Sequence, residues 1–296
     1  MPFHIWPIQP RFAGEVFDLD LRQPLTNDNV AAIHVRMDTY AVIAFHGQHV
    51  LTNDDQVAFT RRLGPLHMNI GTNTLKPEER RLDYNFADVG NLDVTNRIWA
   101  PDNRRRLYEF ANRLWHSDGS FRAIPTQYSL LFGHTVPPAG GNTEFADMRA
   151  AYDALDDRMK AEIDGLICEH SVMYSRQKMG FSEWTDEEKE NFRPVRQPLV
   201  RVHPSTGRKS LFLSSHIGDI VGWYRPEALA LLHELTEHAT QRQFVHVHTW
   251  TQGDLMLWDN RSTMHRGTRY EDQKYVRDMR RTTTMCDAPT LASQAA

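Results

Sequence analysis

The sequence predicts an antiparallel β-sandwich or jelly-roll barrel decorated with helices. Two observations carry that prediction: the second half of the chain is a succession of short strand-like runs bounded by Gly, Pro, Asn or Asp, and amphipathic helical segments are inserted among them. A third bounds it. The 296 residues hold no internal repeat, low-complexity tract or Gly/Ser linker, so residues 1–296 read as a single domain.

After an extended start, TNDNVAAIHVRMDTY (26 to 40) sets cap-type residues before Val30, Ile33 and Met37 at helical spacing. This helix feeds the apolar run AVIAF (41 to 45), a buried strand. LTNDDQVAFTRRLGPL repeats the pattern, with Asn53 and Gln56 at capping-box spacing and a Gly-Pro stop. Residues 66 to 108 are polar, include the basic run NRRR (103 to 106), and read mostly as long loops.

From residue 127, QYSLLFGHTV, a PPAGGN turn and TEFADM read as two strands around a turn. Asp147 and Asp156 can each cap a helix, Gly165 stands near the end of the second, and CEHSVMYSR returns to strand character. The charged segment 180 to 196 reads as peripheral. PLVRVHP and RKSLFLSS flank STG as a hairpin, with Val200 and Val202 on one face and Arg201 and His203 on the other. PEALALLHELTEHATQ (226 to 241) is an amphipathic helix with proline in its first turn. FVHVHTW, DLMLWDN and DMRRTTTM then close the chain as three strands.

Bulk composition narrows the function. With 40% hydrophobic and 24% charged residues and a formal charge of -4, the chain has the make-up of a soluble globular protein and no general attraction to nucleic acid or an anionic membrane. No apolar run approaches the roughly 20 residues of a membrane-spanning helix, and the start MPFHIWPIQPRF lacks a signal-peptide pattern, which points to the cytoplasm. Cys168 and Cys286 form neither a disulfide framework nor a CxxC knuckle, so a bound metal must be held by nitrogen and oxygen.

The candidate metal ligands begin with NRLWHSDGSF (112 to 121). Side chains at i and i+2 leave one face of an extended chain about 7 Å apart at Cα, whereas on a helix they diverge by roughly 200°. His116 and Asp118 can therefore share an ion if HSD is extended, and His265, where an apolar strand runs out into a polar turn, is the candidate third ligand. Two histidines and a carboxylate leave three adjacent positions open, which suits ferrous iron in an oxygen-activating enzyme. A tetrahedral zinc on the same ligands would keep one open position for water. The pair His246 and His248 has the same spacing, and spacing alone does not separate it from HSD.

WHSD, GGNTEFADMRAAYDAL, GDLMLWDNRSTMHRGTRY and RDMRRTT, in that order, resemble the TauD/TfdA family of Fe(II)- and 2-oxoglutarate-dependent dioxygenases, and within it the TfdA-like 2,4-dichlorophenoxyacetate enzymes. The resemblance spans nearly the whole chain and implies a double-stranded β-helix, or jelly roll, with Fe(II), 2-oxoglutarate and O2 as reactants and ascorbate as a helpful reductant. It makes His116, Asp118 and His265 the iron ligands. Thr143 and Arg277 match the groups that hold the distal carboxylate of 2-oxoglutarate, and Trp258 a wall of that pocket. Arg281 matches the arginine that binds the substrate carboxylate, while Ser120 and His203 match substrate-pocket positions. Arg277 and Arg281 stand four apart, so on a strand they share a face at about 13 Å, with Arg280 pointing the other way.

The implied reaction hydroxylates an aryloxyacetate at the carbon next to its ether oxygen, releasing a phenol and glyoxylate together with succinate and CO2. Alternatives are 2-aryloxypropionates, other arylalkanoates or a small sulfonate such as taurine; outside the class, a metal-binding jelly-roll sensor or a zinc hydrolase. The expected partner is a small carboxylic acid, with no nucleic acid and no membrane; a homo-oligomer is compatible with the sequence. Two departures bear on the substrate. The loop LGPLHMNIGTNT offers His67, Asn69 and Thr72 where the dichlorophenoxyacetate enzymes can carry a lysine, and Gly119 is a smaller residue beside the expected pocket.

Overall fold

A computed structural model describes residues 3–9, 11–68, 78 and 80–291. Its elements in chain order are β1 (Trp6–Gln9), β2 (Ala13–Val16), α1 (Asn27–Tyr40), β3 (Val42–Phe45), α2 (Asn53–Leu63), β4 (Ala87–Asp88), α3 (Arg104–Glu109), β5 (Thr126–Thr135), β6 (Thr143–Asp147), α4 (Met148–Asp153), α5 (Asp157–Ile163) and β7 (Ile167–His170). There follow α6 (Val172–Lys178), α7 (Asp186–Asn191), β8 (Val195–Pro198), β9 (Val200–Val202), β10 (Lys209–Leu211), β11 (Ile217–Ile220), α8 (Arg225–Ala239), β12 (Val245–His248), β13 (Leu255–Asp259), β14 (Thr263–Gly267) and β15 (Asp278–Met285). Asn69 and Thr72 lie outside the described residues.

The strands form a seven-stranded sheet in the order β1-β2-β3-β13-β5-β15-β4, faced by the three-stranded sheet β12-β6-β14, in the manner of a jelly roll. Pairing is antiparallel except between β2 and β3. Strand alternation divides the packing. Leu130 and Phe132 of β5 and Leu255 and Leu257 of β13 pack outward with Ile33 and Met37 of α1 and Phe59 and Leu63 of α2. Leu131, Met256, Trp258 and Met279 pack with Phe145 of β6. Ala146 and Met264 turn away from that layer to meet Met148 and Ala151 of α4 and Leu231 and Leu235 of α8. The space between the sheets is therefore walled by one parity of each strand. Among the described residues no helix is long and apolar enough to cross a membrane, and Cys168 and Cys286 are both free.

Local structure departs from the sequence expectations at five places. The cap of α2 is Thr52 with Asp55, one residue before the expected pair, because Gln56 is fully buried and donates to the carbonyls of Leu130 and Arg280 instead. Within the expected loops, Asn103 caps α3 and its arginines find acids: Arg105 pairs with Glu109 and Arg106 with Asp272. The strand at CEHSVMYSR stops at His170, where Ser171 caps α6. Segment 180 to 196 is anchored rather than peripheral, since Phe181 and Phe192 are buried and Glu188 pairs with Arg104. Finally, the turn expected around His265 is a strand in its own right, β14, so four strands close the chain.

Candidate active site

His116 and His265 are joined by a two-residue antiparallel bridge: each backbone N–H donates to the other's carbonyl, at 3.0 Å from His116 and 2.8 Å from His265. Such a pair puts both side chains on one face, and the imidazole centroids are 4.2 Å apart. HSD is extended here. Ser117 points the opposite way and donates to Thr263 O at 2.9 Å, which leaves Asp118 on the side of His116. One ligand atom from each of His116, Asp118 and His265 lies within 4.8 Å of the others, and all three residues are buried. Among the described residues no other such cluster occurs. His246 and His248 do not join it; His248 bonds to Asp254 at 3.2 Å.

Burial holds both imidazoles below the ordinary histidine range, against the pull of Asp118. Burial pushes the Asp118 carboxyl up, but the Arg281 guanidinium, the two imidazoles and a Ser129 hydrogen bond bring it down to about 2. The donor set at neutral pH is thus two neutral nitrogens and a carboxylate, the forms that bind a cation. His116 Nδ1 lies 2.8 Å from Leu114 O, which an N–H alone can satisfy, so Nε2 keeps its lone pair. Among the described residues His265 Nδ1 has no hydrogen-bond partner. Its ring is fixed by packing, 4.7 Å from Trp258 and 6.1 Å from Phe145.

A cavity reaches this cluster, lined by His116, Leu131, Thr143, Trp258, His265, Arg277 and Arg281. Each strand residue in that set shares the inward parity described above. Thr143 Oγ accepts from Trp250 Nε1 at 3.0 Å, leaving its own hydrogen to donate. Arg277 is buried, and its Nη1 donates to Val89 O at 2.7 Å. Burial lowers its pKa, and among the described residues it has no carboxylate partner within ion-pair reach. Gly90 permits the two backbones to run close together, because a Cβ there would stand 2.5 Å from Arg277 O. Arg281 also faces the cavity, its Nη1 2.5 Å from Asp118 Oδ1, whereas Arg280 turns away to Asp278 at 2.9 Å. Trp258, fully buried, is at once a core residue and a wall of the cavity.

The structure does not bring His203 to this cavity. Its Nε2 lies 3.1 Å from Asp259, which alternates with Trp258 on β13 and so faces the other side of the sheet. Ser120 is fully buried two residues beyond Asp118, its Oγ without a hydrogen-bond partner among the described residues, and it is not among the residues lining the cavity. Gly119 proves to be a backbone requirement and not added room: φ is +63°, and a Cβ would stand 2.2 Å from Thr126 Oγ1.

Sequence reasoning missed a set of polar residues behind Asp118. Asn260 Oδ1 accepts from the Asp118 backbone N–H at 3.0 Å and from Trp258 Nε1 at 3.1 Å. Its Nδ2 donates to Ser129 Oγ at 2.9 Å, and Ser129 Oγ donates to Asp118 Oδ2 at 2.7 Å. The available signal was parity, since Asn260 is two residues from Trp258 and Ser129 two from Leu131. Arg122 was also missed. It contacts His67, and burial together with Arg281 lowers its pKa to about 10.

Comparison with known proteins bears on this arrangement. Residues 4–283 match the model of the family described as taurine catabolism dioxygenase TauD, TfdA family. The chain is 43% identical, over 95% of its length and 97% of the relative's, to an alpha-ketoglutarate-dependent 2,4-dichlorophenoxyacetate dioxygenase of Cupriavidus pinatubonensis. It is 35% identical, over 91% and 90%, to an (S)-phenoxypropionate/alpha-ketoglutarate-dioxygenase of Sphingobium herbicidovorans. A crystal structure of AAD-2 in complex with Mn(II) and N-oxalylglycine superposes with a TM-score of 0.95 at 51% identity, covering 98% of this chain and 100% of that one. The buried two-histidine, one-carboxylate cluster thus sits in a jelly roll that these proteins match over nearly its whole length, and the chain belongs to the TauD/TfdA family of dioxygenases.

Proposed function

We propose that this dioxygenase, dependent on Fe(II) and 2-oxoglutarate, oxidises an aryloxyalkanoic acid of the 2,4-dichlorophenoxyacetate type at the carbon between the ether oxygen and the carboxylate. The observation that carries this reading is a pair of inward guanidiniums, Arg277 and Arg281, flanking a buried triad in one cavity. Two separate anions fit two separate forks. The relatives named for 2,4-dichlorophenoxyacetate and phenoxypropionate support the acid class, and the Mn(II) and N-oxalylglycine held by AAD-2 support the metal and the oxoacid.

His116, Asp118 and His265 would hold the metal. Bound there, Fe(II) would supply a site for 2-oxoglutarate and O2 and the oxidising power released when that oxoacid is converted to succinate and CO2. The chain's own residues do the positioning. Arg277 and the free Thr143 hydroxyl hold the distal carboxylate of 2-oxoglutarate, with Trp258 and Leu131 as apolar walls. Arg281 leaves Asp118 for the substrate carboxylate, which fixes the ether-bearing carbon within the site. Phe121, whose ring stands edge-on to His216 at 4.9 Å, and Ser120 lie beside this cavity and not in its lining, so a contact of either with the aryl group would need the acid to reach past the triad. Hydroxylation at that carbon gives a hemiacetal, which collapses to a phenol and glyoxylate. The site draws on residues from Val89 to Arg281, in keeping with residues 1–296 acting as one domain.

The test is to supply Fe(II), ascorbate and 2-oxoglutarate and to measure succinate and phenol across aryloxyacetates, 2-aryloxypropionates and taurine. Phenol released in step with succinate from an aryloxyacetate is the expected result. Succinate that no aryloxy acid raises above the acid-free background sinks the assignment, and a response confined to the propionates moves it to the substrate named for the 35% identical relative.

A further inference from the structure

We propose that Ser129, oriented by Asn260, is a positioning residue that restricts Asp118 to binding the metal through one oxygen. This rests on the metal reading of the triad and goes beyond it. A carboxylate can grip a cation with one oxygen or both, and the two modes differ here in consequence. Three protein ligands with a one-oxygen carboxylate leave three of six positions open, two for a chelating oxoacid and one for O2. A second carboxylate oxygen would take one of those three.

The hydrogen bonds apportion the two oxygens. Oδ2 accepts the Ser129 hydroxyl at 2.7 Å, a charge-assisted bond between fully buried groups. Ser129 can donate in that direction because its Oγ already accepts from Asn260 Nδ2 at 2.9 Å. The orientation of Asn260 follows in turn, since its Oδ1 receives two groups that can only donate, the Asp118 N–H and the Trp258 indole N–H. Asp118 is therefore tied at its backbone and at one carboxylate oxygen by a closed ring of bonds. Oδ1 accepts from Arg281, whose side chain is 21% exposed, and stands 3.8 Å from His116 Nε2, with no bond to a second strand hydroxyl among the described residues. One oxygen is committed to the protein; the other is exchangeable.

Mn(II) in place of iron provides a readout independent of turnover, because the water-proton relaxivity of the loaded protein scales with the number of waters on the ion. Ser129→Ala should lower that relaxivity by about a third, from three open positions to two. After addition of 2-oxoglutarate, the parent should retain the contribution of one water and Ser129→Ala that of none. Ser129→Thr, which keeps the hydroxyl, should restore the parental values. Asn260→Ala removes the group that orients Ser129 and should move relaxivity the same way, a second route if either variant is unstable by its thermal midpoint. Parental relaxivity in Ser129→Ala at saturating Mn(II), with and without 2-oxoglutarate, would overturn the proposal. If the parent itself binds no Mn(II), or loses no water to 2-oxoglutarate, the triad reading has failed instead.

Discussion

Arg281 and Asp118 form an ion pair of 2.5 Å in which the side chain assigned to the substrate acid occupies an oxygen of the residue assigned to the metal. The two roles compete before the site is loaded, and a metal must displace the guanidinium. Arg281→Gln should accordingly bind Mn(II) several-fold more tightly than the parent by calorimetry. The same variant loses a charge-assisted contact worth about 1.5–3 kcal/mol, which raises KM for the acid by roughly 10- to 100-fold. Tighter acid binding in the variant would remove Arg281 from the substrate.

Arg277 is a buried cation without a carboxylate partner among the described residues, so its neutral replacement has an unusual signature. Arg277→Met should raise KM for 2-oxoglutarate at least about 10-fold while leaving the thermal midpoint of the ligand-free protein unchanged or higher, because an uncompensated buried charge is removed. Steady-state kinetics and a thermal melt separate the two effects. A large fall in the midpoint with an unchanged KM would mark the residue as structural.

On the far face of the main sheet, Asp259 is fully buried between Arg261 at 2.7 Å and His203 at 3.1 Å. Burial alone would raise its carboxyl, but Arg261 and the His203 hydrogen bond hold it well below the usual carboxylate range. A folded pKa depressed below the unfolded one adds stability above about pH 4, and that stability is lost as pH falls through the folded value. Asp259→Asn should cost about 3 kcal/mol at pH 7 and make unfolding less dependent on pH on the acid side. His203→Ala should lower the midpoint and leave the KM for the acid alone; a changed KM would return His203 to the substrate site.

Gly119→Ala should be destabilising by more than about 1 kcal/mol, since the added Cβ meets Thr126 at a positive φ. Thermal melts and the acid panel distinguish this from a pocket effect. An unchanged midpoint with an altered acid preference would show that the residue faces the substrate.

The candidate metal triad was legible because its first two members are a local pattern: HSD needs only an extended backbone to place both side chains on one face. The helices at 27–40 and 225–239 were equally local, written in spacing and caps. The strand β14 was not, because its five residues include one fully apolar side chain and owe their conformation to pairing with β6. Ser129 and Asn260 were hidden for a related reason. They lie 131 positions apart, and only the register of β5 against β13 brings them together. His203 illustrates the converse, as a family match in sequence fixed neither its face nor its partner.

The register of β15 against β5 shifts at both ends, between Asp278 and Met279 and between Thr283 and Met285, and is regular from Met279 to Thr283. Between them five consecutive residues keep one phase, which holds Arg281 toward the cavity and Arg280 away from it. A slip of one residue within that stretch would turn Arg280 inward and send Arg281 to the outside, exchanging the guanidinium that faces the cavity for one already paired with Asp278.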